Sequence, residues 1–385
     1  MPSRSYVELI QKKLGLRSFR FERRQGKYLT GCGFLANGYR MGCLLSLDPF
    51  WILFAKGGNY AIFPDLVMHC DSTLYLLGEY EGTGCTLCLF KDTKYSDGPV
   101  LSEQNTQSAF VARISSDGDV DWLTTLADGG DGNMRVHTMV SLNTSKLIIG
   151  GSVNCTEGYL KGRSETLQCS KGIQGFTCDI DITGHWHSCH SYLECSVITE
   201  LLSYYSKPDL KHSLFAQGKY YTYGCEELEC RVEGCCYGTM TLMNISNTGT
   251  IEGQFHLENK VAESYLCSHN DNFYLTLTAP DINSVVIYIS NLYLQYKDVV
   301  QIKNRIVDVR APPGQHVYFL GQGPLYQIYV LDTQLNIIVH QEQLDTRDEF
   351  WFYTYNAPVS KQLPPSAEPR SQNGKARIRV RFGKC

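Results

Sequence analysis

The densest group of chemically capable side chains in this 385-residue sequence is the run HWHSCH at 185–190, which holds His185, His187, Cys189 and His190 and is followed by Cys195. Imidazole and thiolate are the donors that zinc takes in tetrahedral sites. Alternate positions of a strand share a face, so His185, His187 and Cys189 could converge on one ion. The same run fits the turn and first strand of a repeating sheet unit, where polar side chains are ordinary, and on that balance no metal ligand is assigned. Cys85 and Cys88 form a C-x-x-C, and Cys225, Cys230, Cys235 and Cys236 crowd a second stretch. Paired knuckles can hold zinc, and a lone C-x-x-C does redox work beside a βαβ unit, but no βαβ pattern is present. Cys85 and Cys88 are expected on opposite faces of a strand, and the 225–236 group as buried or loop thiols, with a metal or a disulfide as the alternative.

Asp117, Asp119 and Asp121, with Asp128 and Asp131 beyond them, have the look of a calcium loop. An EF-hand needs Gly at the sixth position and Glu at the twelfth, where this chain has Trp122 and Asp128. Tight-turn chemistry accounts for them better, because Asp-Gly suits a hairpin. No G-x-S-x-G elbow, phosphate loop or H-E-x-x-H occurs. The expectation is a protein that is not an enzyme, with no catalytic residue and no cofactor.

Charge points to the ends of the chain. Residues 1–27 carry eight Lys/Arg against two Glu, and residues 361–385 carry seven against one, so each end is +6 and the body between them is −16 within a total of −4. An acidic body repels phosphates, which argues against a nucleic-acid reader. Basic ends suit acidic surfaces on this chain, on a second copy or on a protein partner. In the last stretch Arg377, Arg379 and Arg381 alternate with Ile378, Val380 and Phe382. That is the period of a strand with one basic and one apolar face, able to pair with an exposed sheet edge. These six are the expected partner-binding residues.

The opening MPSRSYVELIQKKLGLRSF lacks the apolar core and cleavage site of a secretory signal, and no window of some 18 apolar residues occurs. The expectation is an intracellular protein, with no membrane partner, whose 16 cysteines are mostly free thiols. The Asn-x-Ser/Thr triplets at Asn143, Asn154 and Asn244 are then chance matches.

The elements that must position these residues are strands. Ser5 and Glu8 have capping-box spacing ahead of Tyr6, Leu9, Ile10 and Leu14, which predicts a short N-terminal helix, followed by a basic arm from Arg17 to Lys27. From Tyr28 to about Tyr355 short apolar or alternating runs replace the helical pattern, among them LYLLGEY (74–80), KLIIGGSV (146–153) and HVYFLGQG (316–323). A strand ending in a tight turn recurs: Ile114, Ile180 and Ile245 each stand four residues before Gly118, Gly184 and Gly249, at intervals of 66 and 65. Further copies fall at Leu47, Ile289 and Val330. An apolar run meets Gly at Gly31, Gly78, Gly150, Gly218 and Gly321, and Trp51 and Trp122 follow the turn in the two clearest copies.

The segment 109–153, from AFVARISSDGDVDW through LADGGDGN to KLIIGGSV, with 74–83 as a second piece, resembles the short β-propeller repeat of bacterial surface proteins and of large DNA virus proteins. The resemblance implies architecture and no activity. It is also the sole basis for a virus-particle setting.

A lone four-stranded blade cannot bury both faces, so a ring of blades is expected, at about 55 residues each for six. The resulting expectation is an all-β, six-bladed β-propeller over 28–358, closed by strands from both ends with 349–355 beside 28–34 and 41–47. A basic helix and arm form 1–27, and a Pro/Ser linker with a strand-like tail forms 359–385. Its function is expected to be that of a non-enzymatic scaffold for protein partners in a larger assembly such as a virus particle. The alternative is an enzyme or carbohydrate-binding propeller that uses the mouth of the central channel.

Overall fold

A computed structural model describes residues 8 and 11–12 and the strands and short turns between 17 and 344. Residues 345–385 lie outside the description, as do several connections, among them 35–39, 92–99, 103–107, 127–132, 206–211 and 222–237. Of the expected N-terminal helix only Glu8, Gln11 and Lys12 are described, and these three are helical.

The chain divides into two compact units, residues 1–221 with 240–256, and residues 222–239 with 257–385. In the first unit, β1 (Ser18–Gln25), β2 (Tyr28–Phe34), β3 (Arg40–Leu47) and β4 (Phe50–Lys56) form one antiparallel meander. A second is built from β5 (Tyr60–Met68) and β6 (Leu74–Glu81), joined after an excursion through β7 (Thr86–Lys91) and β8 (Val100–Ser102) by β9 (Ser108–Ile114) and β10 (Val120–Leu126). The third repeats this plan. Its β11 (Asn133–Ser141) and β12 (Lys146–Cys155) are followed by a small hairpin of β13 (Tyr159–Lys161) and β14 (Thr166–Gln168), then by β15 (Gly172–Asp181) and β16 (Trp186–Tyr192). The fourth meander is β17 (Val197–Tyr205), β18 (His212–Tyr221), β19 (Gly238–Ile245) and β20 (Ile251–Val261), of which residues 238–239 and 257–261 are counted with the second unit.

The second unit holds two more four-stranded meanders. One is β21 (Glu263–His269), β22 (Asn272–Thr278), β23 (Ser284–Ser290) and β24 (Gln295–Ile302). The other is β25 (Arg305–Arg310), β26 (Val317–Gln322), β27 (Tyr326–Leu331) and β28 (Ile337–Leu344). Successive up-and-down four-stranded sheets are β-propeller blades.

Two expectations about the first blade change. The basic run after Arg17 is strand β1, paired along its length with β2 from Ser18↔Phe34 to Gln25↔Tyr28. Both edges of β2 are thereby filled, by β1 and β3, so the place expected for 349–355 beside 28–34 is taken by β1. Residues 349–355 themselves lie outside the described residues. β7 crosses over to β4, pairing Phe54↔Phe90 and Ala55↔Leu89, and covers an edge that would otherwise be open.

The near-continuous apolar runs follow from packing on both faces. In β6, Leu74 and Leu76 enter one core with Tyr28, Leu44 and Trp51 of the first blade, while Tyr75 and Leu77 enter another with Met134, Leu147 and Phe176 of the third. β9 divides likewise, Phe110, Ala112 and Ile114 against Ala109 and Val111. A third core joins Ile148 and Tyr192 to Ile198, Leu201, Met243 and Ile245. Because successive side chains of a strand point to opposite faces, each blade contributes alternate residues to the cores on either side.

The recurring glycines mark two devices. Gly31, Gly151, Gly218 and Gly321 each lie at a register shift where the blade's first strand carries one extra residue against its second. Gly78 falls in the corresponding break between Ile62 and Asp65. Such bulges bend the first strand. The acceptor just past the bulge reaches the next blade: Asp65 Oδ2 accepts from Met139 N–H at 2.9 Å, and Thr138 Oγ1 accepts from Leu201 N–H at 3.2 Å.

The second device is the turn between third and fourth strands. Gly118, Gly184 and Gly249 have φ of +86°, +91° and +80°, a region that only Gly adopts without cost. Their N–H groups donate to the carbonyls of Ser115, Asp181 and Ser246 at 3.0, 3.1 and 3.0 Å. Each turn receives side chains from the fourth strand of the blade before it. Trp51 Nε1–H donates to the Ser116 carbonyl at 3.0 Å, Trp122 Nε1–H to the Ile182 carbonyl at 3.1 Å, and Tyr192 O–H to the Gly249 carbonyl at 3.3 Å.

Candidate functional site

The expected convergence of His185, His187 and Cys189 does not occur, and the ladder explains why. Ile180 pairs with Trp186 and Cys178 with Cys189, so His187 and Ser188 together stand opposite Asp179. A bulge breaks the alternation that would have put the three donors on one face. Cys189 turns to the core side and forms a disulfide with the buried Cys178. A disulfide sulfur is not a thiolate ligand. Among the described residues no group of three or more His, Cys, Asp or Glu side chains is arranged to hold a metal. The pair also corrects the expectation of free thiols at these two positions, while Cys43 is a buried free cysteine.

The histidines gather instead around Asp181 at the turn. Asp181 Oδ1 accepts from the Thr183 hydroxyl at 2.6 Å and from the backbone N–H groups of Thr183 and His185 at 2.8 and 2.9 Å. His187 Nε2 lies 3.3 Å from its Oδ2, and His185 Nδ1 lies 2.8 Å from Thr183 Oγ1. Burial alone would push the Asp181 carboxyl up, but the hydrogen bonds from Thr183, His185 and His187 outweigh it and hold the carboxyl well below the usual carboxylate range. On the same sheet the Asp179 carboxylate pairs with Lys146 and accepts from Ser188 Oγ at 3.0 Å. These bonds run to acceptors of the turn and its own sheet, which makes the group a stabilised turn.

The aspartates of the second blade are divided among separate partners. Asp119 pairs with Lys91 at 2.8 Å, and Asp121 lies 3.3 Å from Arg113 Nε. Asp117 and Asp119 give their backbone N–H groups to Ser115 Oγ. Cys225, Cys230, Cys235 and Cys236, and Arg377, Ile378, Arg379, Val380, Arg381 and Phe382, lie outside the described residues.

A different candidate emerges from the two edges of the blades in the first unit. At one edge lie the third-to-fourth-strand turns, which in the second, third and fourth blades are tight glycine hairpins locked by the preceding blade. At the other lie the second-to-third-strand connections. These carry the β7–β8 excursion between β6 and β9 in the second blade and the β13–β14 hairpin between β12 and β15 in the third. Large apolar side chains are exposed at both edges, Phe34 at the end of β2 and Ile173 at the start of β15 on this one and Met68 at the end of β5 on the other. Binding and catalytic residues alike are found disproportionately on loops that a rigid frame positions. The length of these insertions could be read from the strand spacing in the sequence, but not their common edge.

No family model and no curated protein sequence matches the chain. Among solved structures it is similar to the Dos1 propeller, at 11% identity and a TM-score of 0.44 over 80% of this chain and 71% of that one. It is also similar to a putative 6-phosphogluconolactonase from Bacteroides fragilis, at 11% identity and 0.39 over 84% and 93%. A third likeness is to a periplasmic gluconolactonase from Pseudomonas aeruginosa, at 11% and 0.35 over 80% and 92%. The expectation of a protein that is not an enzyme is corrected at this point, since structures of this fold include lactonases and missing sequence motifs do not exclude catalytic groups drawn from several blades. At this identity the likenesses concern the fold and assign no activity.

Proposed function

We propose that the chain is a six-bladed β-propeller acting as an interaction scaffold within a larger protein assembly, such as a virus particle. β1 completes its first blade. The observation that carries the reading is the asymmetry of the first unit: long second-to-third-strand insertions in the second and third blades at one edge, against short glycine turns locked by the preceding blade at the other. Inserted loops on a rigid frame offer contact area without disturbing the cores between blades. The alternating tail Arg377–Phe382 supplies a second contact, a strand with a basic face that adds to a sheet edge of an acidic partner.

Cross-linking in the native assembly, followed by co-purification of the full chain and of versions lacking 361–385 or 156–171, tests both contacts. Each deletion is expected to lose partners that the full chain retains. Unchanged co-purification by both versions would end the proposal.

A further inference from the structure

We propose that the Cys178–Cys189 disulfide is a redox-operated clamp on the latch between the third and fourth blades. β16 is the outer strand of its sheet, and its ladder to β15 is interrupted at the bulge of His187 and Ser188. Beyond the bulge the strand carries two side chains on which the next blade rests. The His190 ring fills the space beside Gly249, coming within 2.2 Å of where a β-carbon would stand. Tyr192 O–H reaches the Gly249 carbonyl at 3.3 Å and sits 2.8 Å from Thr177 Oγ1. The disulfide joins the strands on the latch side of the bulge, directly between Cys178 and Cys189, and closes a stretch 11 residues long through the Asp181–Gly184 turn. The equivalent latches from Trp51 and Trp122 come from strands close to their turns and have no such bond among the described residues.

The two residues differ in exposure. Cys178 is buried, whereas Cys189 is partly exposed on the outer strand. A dithiol reductant therefore attacks Cys189 Sγ. Its thiolate forms a mixed disulfide there, and Cys178 leaves as a thiolate that takes up a proton. The reductant's second thiolate then closes on the first, is itself oxidised to a disulfide, and releases Cys189 as a thiol. The open form has lost its one covalent tie across the bulge, and β16 with its latch then depends on the interrupted ladder and on the side-chain bonds of Ser188 and Tyr192 to β15.

Hydrogen exchange on the full chain, oxidised and after dithiothreitol, reads the clamp directly. Reduction is expected to raise exchange at least tenfold in 187–192 and in the 246–250 turn while leaving 109–126 unchanged. The Cys178→Ala/Cys189→Ala variant should show the same pattern without reductant, which separates this bond from the other cysteines. Unchanged exchange in 187–192, uniform loss of protection along the chain, or alkylation of both thiols in protein purified without reductant would each overturn the proposal.

Discussion

The indole of Trp51 occupies the space that a β-carbon on Gly118 would need, its nearest ring atom 2.6 Å from that position, while its Nε1–H donates to the carbonyl of Ser116 two residues earlier. One side chain thus reads both the conformation and the missing side chain of a turn in the next blade. Gly118→Ala should cost about 2–5 kcal/mol, combining the positive φ with overpacking against a buried ring. Gly172→Ala supplies the contrast: its φ is +114°, but nothing lies within 4 Å of an added β-carbon. It should cost about 1–2 kcal/mol for backbone strain alone. Urea unfolding of the two variants gives the comparison, and equal losses would show that the Trp51 contact carries no energy.

The bond from Met139 N–H to Asp65 Oδ2, beside Leu66 N–H to Oδ1 at 2.9 Å, ties the bulge of one blade to the next. Asp65→Ala strands two backbone donors in a half-buried place, and about 2–4 kcal/mol of stability should go. Asp65→Asn keeps an acceptor for one of them and should lose less than half as much. Denaturant midpoints at constant slope distinguish the two, and equal midpoints would mean that water replaces the carboxylate at no cost.

Much of this was legible before any coordinates. Glycine turns at 118, 184 and 249 announced a repeat because Gly alone holds positive φ cheaply, and Trp51 and Trp122 followed the turn in two copies. The bulges were not legible. Counted back from the Asp181 turn, a regular ladder puts Cys178 opposite Ser188, and the one extra residue that brings Cys189 there has no composition signal of its own. The same slip undid the shared face of His185, His187 and Cys189. The latch of the third blade was hidden too, because His190 and Tyr192 replace the Trp seen in the first two. Strand β1 escaped because alternation in FRFERR was outweighed by its charge, and the partner that makes it a strand, β2, is a tertiary fact.

Gly151 and Gly321 occupy like places in their blades but differ in what surrounds them. A β-carbon on Gly151 would lie 2.0 Å from the backbone carbonyl oxygen of Arg135, whereas one on Gly321 would first meet the ring edge of Tyr329 at 2.5 Å. Backbone cannot step aside, but a tyrosine ring can tilt, at the expense of its bond from Asn304 Nδ2 at 2.7 Å. Gly151→Ala should lose about 3 kcal/mol or more and Gly321→Ala about 1–2 kcal/mol. Thermal unfolding of both, with the reverse order as the refuting result, checks the assignment.

Asp181 makes the last prediction, one of pH. Its carboxyl is held below the ordinary value of 3.8 by hydrogen bonds from Thr183, His185 and His187 that outweigh its burial. A carboxyl depressed in the folded state contributes stability that is full above its unfolded value and fades as pH falls below it towards the folded one. Asp181→Asn keeps an oxygen for the backbone donors but has no charge to lose. The wild type should therefore be the more stable near pH 5, and the two should approach each other as the pH is taken from about 4 towards 2. Paired urea titrations across that range supply the curve. A gap that stays level into the acid range, or one that widens there, would show that the carboxylate is not held in its charged form by the turn.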